Sequence, residues 1–176
     1  LTANFSNRWD CCTIPLAEPL LVQGEIVTNM TLDVNGLIYL NRAGYENTRS
    51  AWSSGSIDYE IDGNCFVIAP YWGSLSLSDK VGPSSIRIGE AVVGTNVCLV
   101  IEYANMYYDP EYSGTNVISF QVVVPKGRVD GISVSYANVI GDQMDGRRAC
   151  VGIQSFGFRE HVTYCSWQSG KVRSGL

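Results

Sequence analysis

The sequence predicts an all-β protein, an antiparallel β-sandwich or jelly roll built as a single domain. Residues 65–72, 97–103 and 118–124 are apolar runs too short for a globular helix, and each ends at a polar or proline-containing segment. Ten tyrosines and eighteen glycines are typical of strands joined by tight turns. No 3.6-residue apolar period indicates a helix of ten residues or more. A chain of 176 residues is long enough for one substantial core.

The predicted strands alternate with clear turn signals. Asn35-Gly36 supplies the positive φ angles of a hairpin turn and is the strongest local turn signal in the chain. Long loops are predicted over residues 41–56 and 73–84. Residues 14–21 contain two prolines and are predicted to lead into the domain. We assign residues 1–12 to an N-terminal strand or arm and residues 13–176 to the sandwich. The predicted strands cover residues 1–5, 25–32, 37–40, 58–60, 65–72, 86–88, 91–93, 97–103, 118–124, 132–136, 149–154 and 162–167.

Charge and hydropathy exclude two classes of partner. The net charge is −5, and the twelve Lys and Arg residues are scattered along the chain, so nucleic acid is not expected to bind. No run approaches the roughly 20 apolar residues that cross a bilayer, so no membrane span is predicted. No leader peptide with a basic, apolar and small-residue pattern opens the chain at Leu1.

The cysteine content points to an oxidising compartment. There are six cysteines, none in a CxxC motif, and a single histidine, which favours disulfides over a mixed zinc site. The last two predicted strands form a hairpin centred on residues 157–158. Cys150 and Cys165 are equidistant from that centre, so we predict that they face each other and pair.

The other four cysteines leave alternatives open. Cys65 and Cys98 both lie at the front of core strands and are the second predicted pair, with two buried reduced thiols as the alternative. Cys11 and Cys12 are adjacent, and neighbouring cysteines bond to each other only with local strain. Each is expected to pair with the other, elsewhere in the chain, or with a second copy.

Five short motifs follow one another in a recognisable order. They are Asn-Gly within residues 33–40, Ile-Ala-Pro-Tyr-Trp within residues 67–75, residues 100–103, Phe-Gln-Val within residues 120–124, and Val-Gly-Ile-Gln within residues 149–154, followed by residues 162–164. In this order they resemble nidogen-like domains, which are β-sandwich modules of secreted and cell-surface proteins. The resemblance covers about residues 25–167 and implies a non-catalytic extracellular module.

We assign no catalytic residue from the sequence. His161 is the only histidine, and no Gly-x-Ser-x-Gly elbow accompanies it, so it is expected to be an exposed structural residue. Glu60-Ile61-Asp62 resembles the start of the Glu-x-Asp-x-Glu strand of some jelly-roll glycosidases. The third carboxylate is replaced by Asn64, which makes a glycoside hydrolase the least favoured alternative.

Three alternating carboxylates are weak candidates for calcium, the only cofactor considered. Asp58, Glu60 and Asp62 could offer oxygens to the ion, but they do not fit the twelve-residue calcium loop. Alternating carboxylates more often form one solvated strand face, so no metal site is assigned.

An aromatic and acidic loop is the candidate binding surface. Tyrosine combines contact area with a polar tip and suits stacking on a sugar or a protein contact. The alternative is that the loop packs on its own sandwich. The candidate residues are Tyr107, Tyr108, Asp109, Glu111 and Tyr112. Asn4 and Asn29 begin glycosylation acceptor patterns.

These observations predict a non-catalytic, extracellular or cell-surface structural or adhesive protein that assembles with copies of itself into a filament or matrix. Leu1, Ala3 and Phe5 alternate with polar residues and are the candidates for strand donation to a neighbour's sheet edge. The alternative is a monomeric module that binds carbohydrate or a receptor. Other surface proteins or glycans are further candidate partners.

Overall fold

The structure is a computed structural model that describes residues 11–41, 65–77, 83–108, 116–158 and 160–176. It confirms the predicted fold class, because the described chain is a single all-β domain of two antiparallel sheets with one short 3-10 turn at Phe156–Phe158. The strands are β1 (Cys11–Val22), β2 (Glu25–Asp33), β3 (Ile38–Leu40), β4 (Phe66–Trp72), β5 (Leu75–Ser76), β6 (Ser85–Val93), β7 (Asn96–Tyr108), β8 (Val117–Pro125), β9 (Ser133–Ile140), β10 (Cys150–Gln154) and β11 (His161–Ser166).

Sheet one has six strands in the order β1-β2-β3-β4-β10-β11. Its edge strand β1 was not among the predicted strands, because the proline-containing segment at residues 14–21 is itself part of a strand, whose register shifts between Pro15 and Leu20. Proline lacks a backbone donor and is tolerated at such an edge irregularity. The first two residues of β1, Cys11 and Cys12, belong to the predicted N-terminal arm of residues 1–12. Residues 1–10 lie outside the described part of the chain.

The predicted Asn35-Gly36 turn is confirmed between β2 and β3. Gly36 has φ of 83°, and its N–H donates to the carbonyl oxygen of Asp33 at 3.0 Å. The Asp33 carboxylate accepts the Asn35 N–H at 2.7 Å, which fixes the turn from within. A Cβ at Gly36 would overlap with the carbonyl oxygen of Tyr71, so the turn also packs directly on β4.

Sheet two joins β6, β7, β8 and β9, and β5 pairs with the far end of β7. Two predicted strands, 86–88 and 91–93, form the single strand β6. β5 lies in the region predicted as a loop, and β7 continues to Tyr108, into the predicted tyrosine loop. The apolar run at residues 97–103 therefore predicted only part of β7, because pairing with β8 extends the strand beyond that run to Tyr107.

The centre of the sandwich is a packed aromatic group. The rings of Tyr103 and Phe120 stack with centroids 4.6 Å apart, and Tyr71 and Tyr136 flank Phe120 at 6.3 and 6.2 Å. The Tyr103 hydroxyl donates to the carbonyl oxygen of Asp33 at 3.0 Å, which joins the two sheets. Burial raises the pKa of Tyr103, so its hydroxyl stays protonated and remains a donor.

All seven residues of β4 are buried, which confirms it as the central strand. Its inward residues join the main core. Its outward residues contribute to a second buried cluster on the opposite face of sheet one, composed of Leu37, Tyr39, Cys65, Val67, Ala69, Trp72 and Cys150. A strand buried on both faces reads as a continuous apolar run, as this one does.

The two sheets are also joined at one end by main-chain and ionic contacts. The Leu21 N–H donates to the Gly127 carbonyl at 2.7 Å, and the Val129 N–H donates to the Leu21 carbonyl at 2.9 Å. The ammonium of Lys126 lies 3.1 Å from Glu18 of β1 and 3.0 Å from Glu90 of β6. Within the described residues, no helix is long and apolar enough to cross a membrane.

Candidate functional site

An apolar groove lies between β9 and β11, which are edge strands of their sheets among the described residues. Its volume is about 460 Å³, within the roughly 300 to 1,000 Å³ of ordinary binding pockets. Ile132 and Val134 form the β9 side, and Ile68 and Val151 form part of the floor. A second depression of about 320 Å³ shares this lining and extends the groove to Leu176. We call these two depressions together the edge groove.

The β11 side of the edge groove is apolar and exposed. Val162 and Tyr164 both line it, with 63% and 51% of their surfaces accessible. A register shift explains the position of Tyr164, since Cys165 pairs with Val151 and Thr163 pairs with Gly152, which leaves Tyr164 as the extra residue. Such a bulge redirects a side chain. Large apolar side chains are therefore presented to solvent along one wall.

The backbone of β9 is open where it borders the groove. At one end the backbone groups of Tyr136 are already hydrogen-bonded. Its N–H donates to the Leu176 carbonyl oxygen at 3.2 Å, and its carbonyl oxygen accepts the Gly175 N–H at 2.9 Å. Backbone groups alternate sides along a strand, so within β9 Val134 directs its groups to the same side as Tyr136. Among the described residues, Val134 has no main-chain partner on that side.

The open stretch has a defined length. At its other end, the Leu21 hydrogen bonds occupy the backbone from Gly127 to Val129. Between these two boundaries only residues 133–135 belong to β9, so the open part of the strand edge is short. An open sheet edge beside an apolar groove is suited to the addition of a strand, because the edge supplies main-chain hydrogen bonds and the groove accepts alternate side chains.

Charge is nearly absent from the edge groove. Among its lining residues only Asp130 is charged, and its carboxylate pairs with Arg128 at 2.7 Å, with both side chains exposed. An exposed pair of this kind contributes little free energy. The lining of the groove is therefore almost entirely uncharged.

The predicted tyrosine surface is only partly described, and one of its members is not exposed. Tyr107 is 6% accessible because it lies in β7 opposite Val117, and Tyr108 is half-buried. The Tyr107 hydroxyl is enclosed without a hydrogen-bond partner among the described residues. Asp109, Glu111 and Tyr112 lie outside the described residues, as do the strand-donation residues Leu1, Ala3 and Phe5, the calcium candidates Asp58, Glu60 and Asp62, and the glycosylation candidate Asn4.

Asn29 lies in the interior of sheet one. It is half-buried in β2, between β1 and β3, and its side-chain oxygen is enclosed. The third residue of its acceptor pattern, Thr31, is buried and shares a hydrogen bond of 2.8 Å with Thr13. Glycosylated asparagines lie on accessible surface, so this position counts against a glycan at Asn29.

The last hairpin differs in register from the prediction. Cys150 pairs with Ser166 and Cys165 pairs with Val151, so the two cysteines are not opposite each other as predicted. Cys165 belongs to the core between the sheets, whereas Cys150 belongs to the outward cluster, and the two therefore lie on opposite faces of sheet one. Burial, with a contribution from Cys150, raises the pKa of the Cys165 thiol to about 11.

All six cysteines lie in the described part of the chain, and each is a thiol in the structure. Cys65 precedes β4 of sheet one and Cys98 belongs to β7 of sheet two, so the second predicted pair would join the two sheets. Cys11 and Cys12 pair in register with Asp33 and Leu32, which directs them to opposite faces of β1. The disulfide pairings stay predictions.

A polar depression of about 470 Å³ bears on the hydrolase alternative. It is lined by Glu25 and Glu160, together with Ser155. Both residues are exposed, whereas a glycosidase holds its acid carboxyl in a hydrophobic pocket. His161 is exposed at the start of β11. Within the described ranges, no cluster of three His, Cys, Asp or Glu residues could hold a metal ion.

Sequence reasoning missed the edge groove. The groove depends on which strands end each sheet, and only the topology reveals that β9 and β11 are those strands. One local signal was available. Val162 and Tyr164 are separated by only one residue, Thr163, and this apolar alternation lies within the predicted strand at residues 162–167.

Comparison with known proteins supports the resemblance at the level of the family. The family model described as NIDO related matches residues 10–173. Comparison with curated proteins and with solved structures gave no match. The matched residues span both sheets and the edge groove, and NIDO-related modules are non-enzymatic and typically extracellular. From this match and the two-sheet architecture, the chain belongs to the NIDO-related family.

Proposed function

We propose that this chain is a non-catalytic extracellular structural or adhesive module that assembles with copies of itself by donating its N-terminal strand to a neighbour. The observation that carries the proposal is the open edge of β9 beside an apolar groove. Native sheets usually protect such edges with charges, prolines or covering segments. An edge that keeps its backbone open and its surroundings apolar is expected to be covered in the working state of the protein.

The exposed apolar residues support the same proposal. Val162, Tyr164 and Leu176 each have 40% or more of their surface accessible and line one continuous groove. Single exposed apolar residues are ordinary, whereas a contiguous group beside an open edge is typical of an interaction site. The alternating residues Leu1, Ala3 and Phe5 provide a donor of the complementary kind.

The proposal is tested by changing the donor. We expect the full chain to form oligomers in sedimentation velocity and filaments or networks by electron microscopy, and the double variant Leu1→Ser/Phe5→Ser to stay monomeric. The matched control is Thr2→Ser/Asn4→Ser, which alters the polar positions of the same segment and should assemble normally.

Two results would refute donation. One is a full chain that remains monomeric at every concentration, which would favour the monomeric binding module. The other is a Leu1→Ser/Phe5→Ser variant that assembles as the full chain does. Circular dichroism of each variant must match the full chain, so that loss of assembly is not loss of folding.

A further inference from the structure

We infer that the last hairpin of sheet one has two registers, and that a disulfide between Cys150 and Cys165 forms in the register without the bulge at Tyr164. In the structure both cysteines are thiols, and the bulge keeps them from lying directly opposite each other. Oxidation would therefore move the hairpin from the bulged register to a regular one. The inference concerns β10 and β11 and is independent of the proposed assembly.

The pairs nearer the turn already define the regular register. Gly152 pairs with Thr163 there. Two steps further along the same register, Cys150 would lie opposite Cys165. The residue that prevents this in the structure is Tyr164, which is inserted in β11 without a partner of its own on β10. Moving that one extra residue out of the strand is enough to align the two cysteines.

The hydrogen-bond pattern of the hairpin gives the aligned cysteines the closer of the two antiparallel spacings. The Ser155 N–H donates to the Glu160 carbonyl oxygen at 2.8 Å, so these residues form a hydrogen-bonded pair. Hydrogen-bonded and non-hydrogen-bonded pairs alternate along an antiparallel ladder, which makes Cys150 and Cys165 a non-hydrogen-bonded pair in the regular register. Such residues have Cα atoms about 4.5 Å apart, within the range that a disulfide spans.

The regular register also brings the two sulfur atoms to one face of the sheet. Cys165 now belongs to the core between the sheets, and Cys150 belongs to the outward cluster. Directly opposite residues of paired strands lie on the same face, so the register change would move Cys165 to the outward face beside Cys150. Without the bulge that redirects Tyr164, the β11 wall of the edge groove would change with oxidation.

The end of β11 carries backbone strain in the bulged register. Trp167 follows the strand with φ of 55°, a left-handed conformation that bulky residues rarely adopt. The register change would advance residues 164–166 by one position along β10. The next two residues, Trp167 and Gln168, are exposed and can take up the extra length. Because this backbone is already strained, leaving the bulged register costs less than it would in an unstrained hairpin.

The topology excludes the other cysteines as partners of Cys150. The two cysteines of β1 lie four inter-strand spacings from β10, or about 19 Å. Cys98 belongs to sheet two, whereas Cys150 lies on the face of sheet one that is directed away from sheet two. Cys65 precedes β4, and Cys150 pairs with the far end of that strand, about 23 Å away. Cys165 is therefore the partner that this fold brings closest.

The oxidant is glutathione disulfide. One thiolate of the pair attacks it, forms a mixed disulfide and releases one glutathione thiolate; the second thiolate attacks the protein sulfur of the mixed disulfide and releases the other. The two cysteines lose two protons and two electrons, and glutathione disulfide is reduced to two molecules of glutathione. Cys150 and Cys165 are at most 2% accessible, so the exchange takes place when the edge hairpin opens. NIDO-related modules are typically extracellular, where disulfides persist.

Nuclear magnetic resonance reads the register directly. In the reduced full chain, we expect a cross-strand contact between the α-protons of Cys150 and Ser166. These residues are a non-hydrogen-bonded pair, because next to them the Trp167 N–H donates to the Ala149 carbonyl oxygen at 3.0 Å. After equilibration with glutathione disulfide, the contact should move to Cys150 and Cys165, and peptide mapping should show these two linked. Absence of that disulfide overturns the inference, and so does a linked protein that keeps the Cys150–Ser166 contact.

Two variants test the role of the bulge. Cys165→Ala/Ser166→Cys moves the thiol to the position already opposite Cys150, so its equilibrium constant for oxidation by glutathione disulfide should exceed that of the full chain at least about tenfold. Deletion of Tyr164 is the matched control. It removes the residue that the register change needs and leaves Cys165 opposite Val151, so the Cys150–Cys165 disulfide should be lost.

Equal far-ultraviolet circular dichroism of the reduced proteins shows that both variants are folded. A deletion variant that still links Cys150 to Cys165 contradicts the inference. The same is true of a Cys165→Ala/Ser166→Cys variant that is oxidised no more readily than the full chain, since a register change would then oppose neither reaction.

Discussion

The centre of the sandwich and its β9–β11 side are built from the same residue types but have different surroundings. At the centre, Phe120 is 1% accessible and stacks on Tyr103, while Tyr103 donates a hydrogen bond across to sheet one. At the β9–β11 side, Tyr164 is half exposed, and its hydroxyl donates to the Lys171 carbonyl oxygen at 3.2 Å.

The difference shows that apolar patterning alone does not determine burial. Alternating apolar residues become core where two strands face each other, and they become an apolar surface at the edge of the stack. The exposed residues of the edge groove are therefore expected to contribute little to the stability of one chain.

The largest expected effect tests that contrast directly. Phe120→Ala should lower the free energy of unfolding by about 3 to 5 kcal/mol, because it removes a fully buried ring from the central stack. Tyr164→Ala in the groove should cost less than about 1 kcal/mol in the monomer. Both are measured by denaturant unfolding at a concentration where the protein is monomeric. Equal losses for the two variants would mean that the groove is part of the core.

A second comparison uses two glycines. Gly36→Ala should destabilise by at least about 2 kcal/mol, because a Cβ would overlap with the Tyr71 carbonyl and φ at that position is 83°. Gly131→Ala, in the lining of the groove, should stay within about 1 kcal/mol of the wild type, since a Cβ there meets no atom within 4 Å. Thermal unfolding of both variants measures this. Similar melting temperatures would contradict the tight packing of the turn on β4.

The smallest expected effect concerns Asp145, which is hydrogen-bonded to Ser169 and Gly170 in the segment that leads to Leu176 at the edge groove. Burial of the Asp145 carboxylate acts to raise its pKa. Hydrogen bonds from the Ser169 hydroxyl and the N–H groups of Arg147 and Gly170 outweigh that burial and hold the pKa below its usual value. A lowered folded-state pKa stabilises the protein above the ordinary carboxyl range, and the effect is lost as pH falls through the folded-state value.

Asp145→Asn should therefore destabilise by less than about 1 kcal/mol at pH 7, since the carboxylate is largely exposed. The difference from the wild type should narrow below about pH 4, where the unfolded-state carboxyl takes up its proton. The control is Asp142→Asn, whose carboxylate has only a 3.9 Å contact with Arg147 and should be silent. A difference that persists unchanged to pH 2, measured by urea unfolding across pH, would contradict the role of the charge.

The sequence was informative where one residue or one run determines the structure. Asn35-Gly36 identified its turn because few other residues tolerate positive φ. The run at residues 65–72 identified the central strand because a strand buried on both faces has no polar positions. Family membership was likewise indicated by the order of motifs in the chain.

Other features depended on interactions between distant segments. The cysteines of the last hairpin were misplaced by one residue because the bulge at Tyr164 cannot be read from alternation. Tyr107 was expected at the surface, but pairing of β7 with β5 and β8 places it inside. The edge groove requires knowledge of which strands have only one neighbour, and that is a property of the whole topology.

The end at which Leu21 and Lys126 join the sheets has a mechanical consequence. A force along the strands acts to slide one layer over the other, and it would load the Leu21 hydrogen bonds and the contacts of Lys126 with Glu18 and Glu90 in shear. Several bonds loaded together resist more than bonds broken in sequence. This end of the sandwich should therefore resist sliding of the two layers over each other.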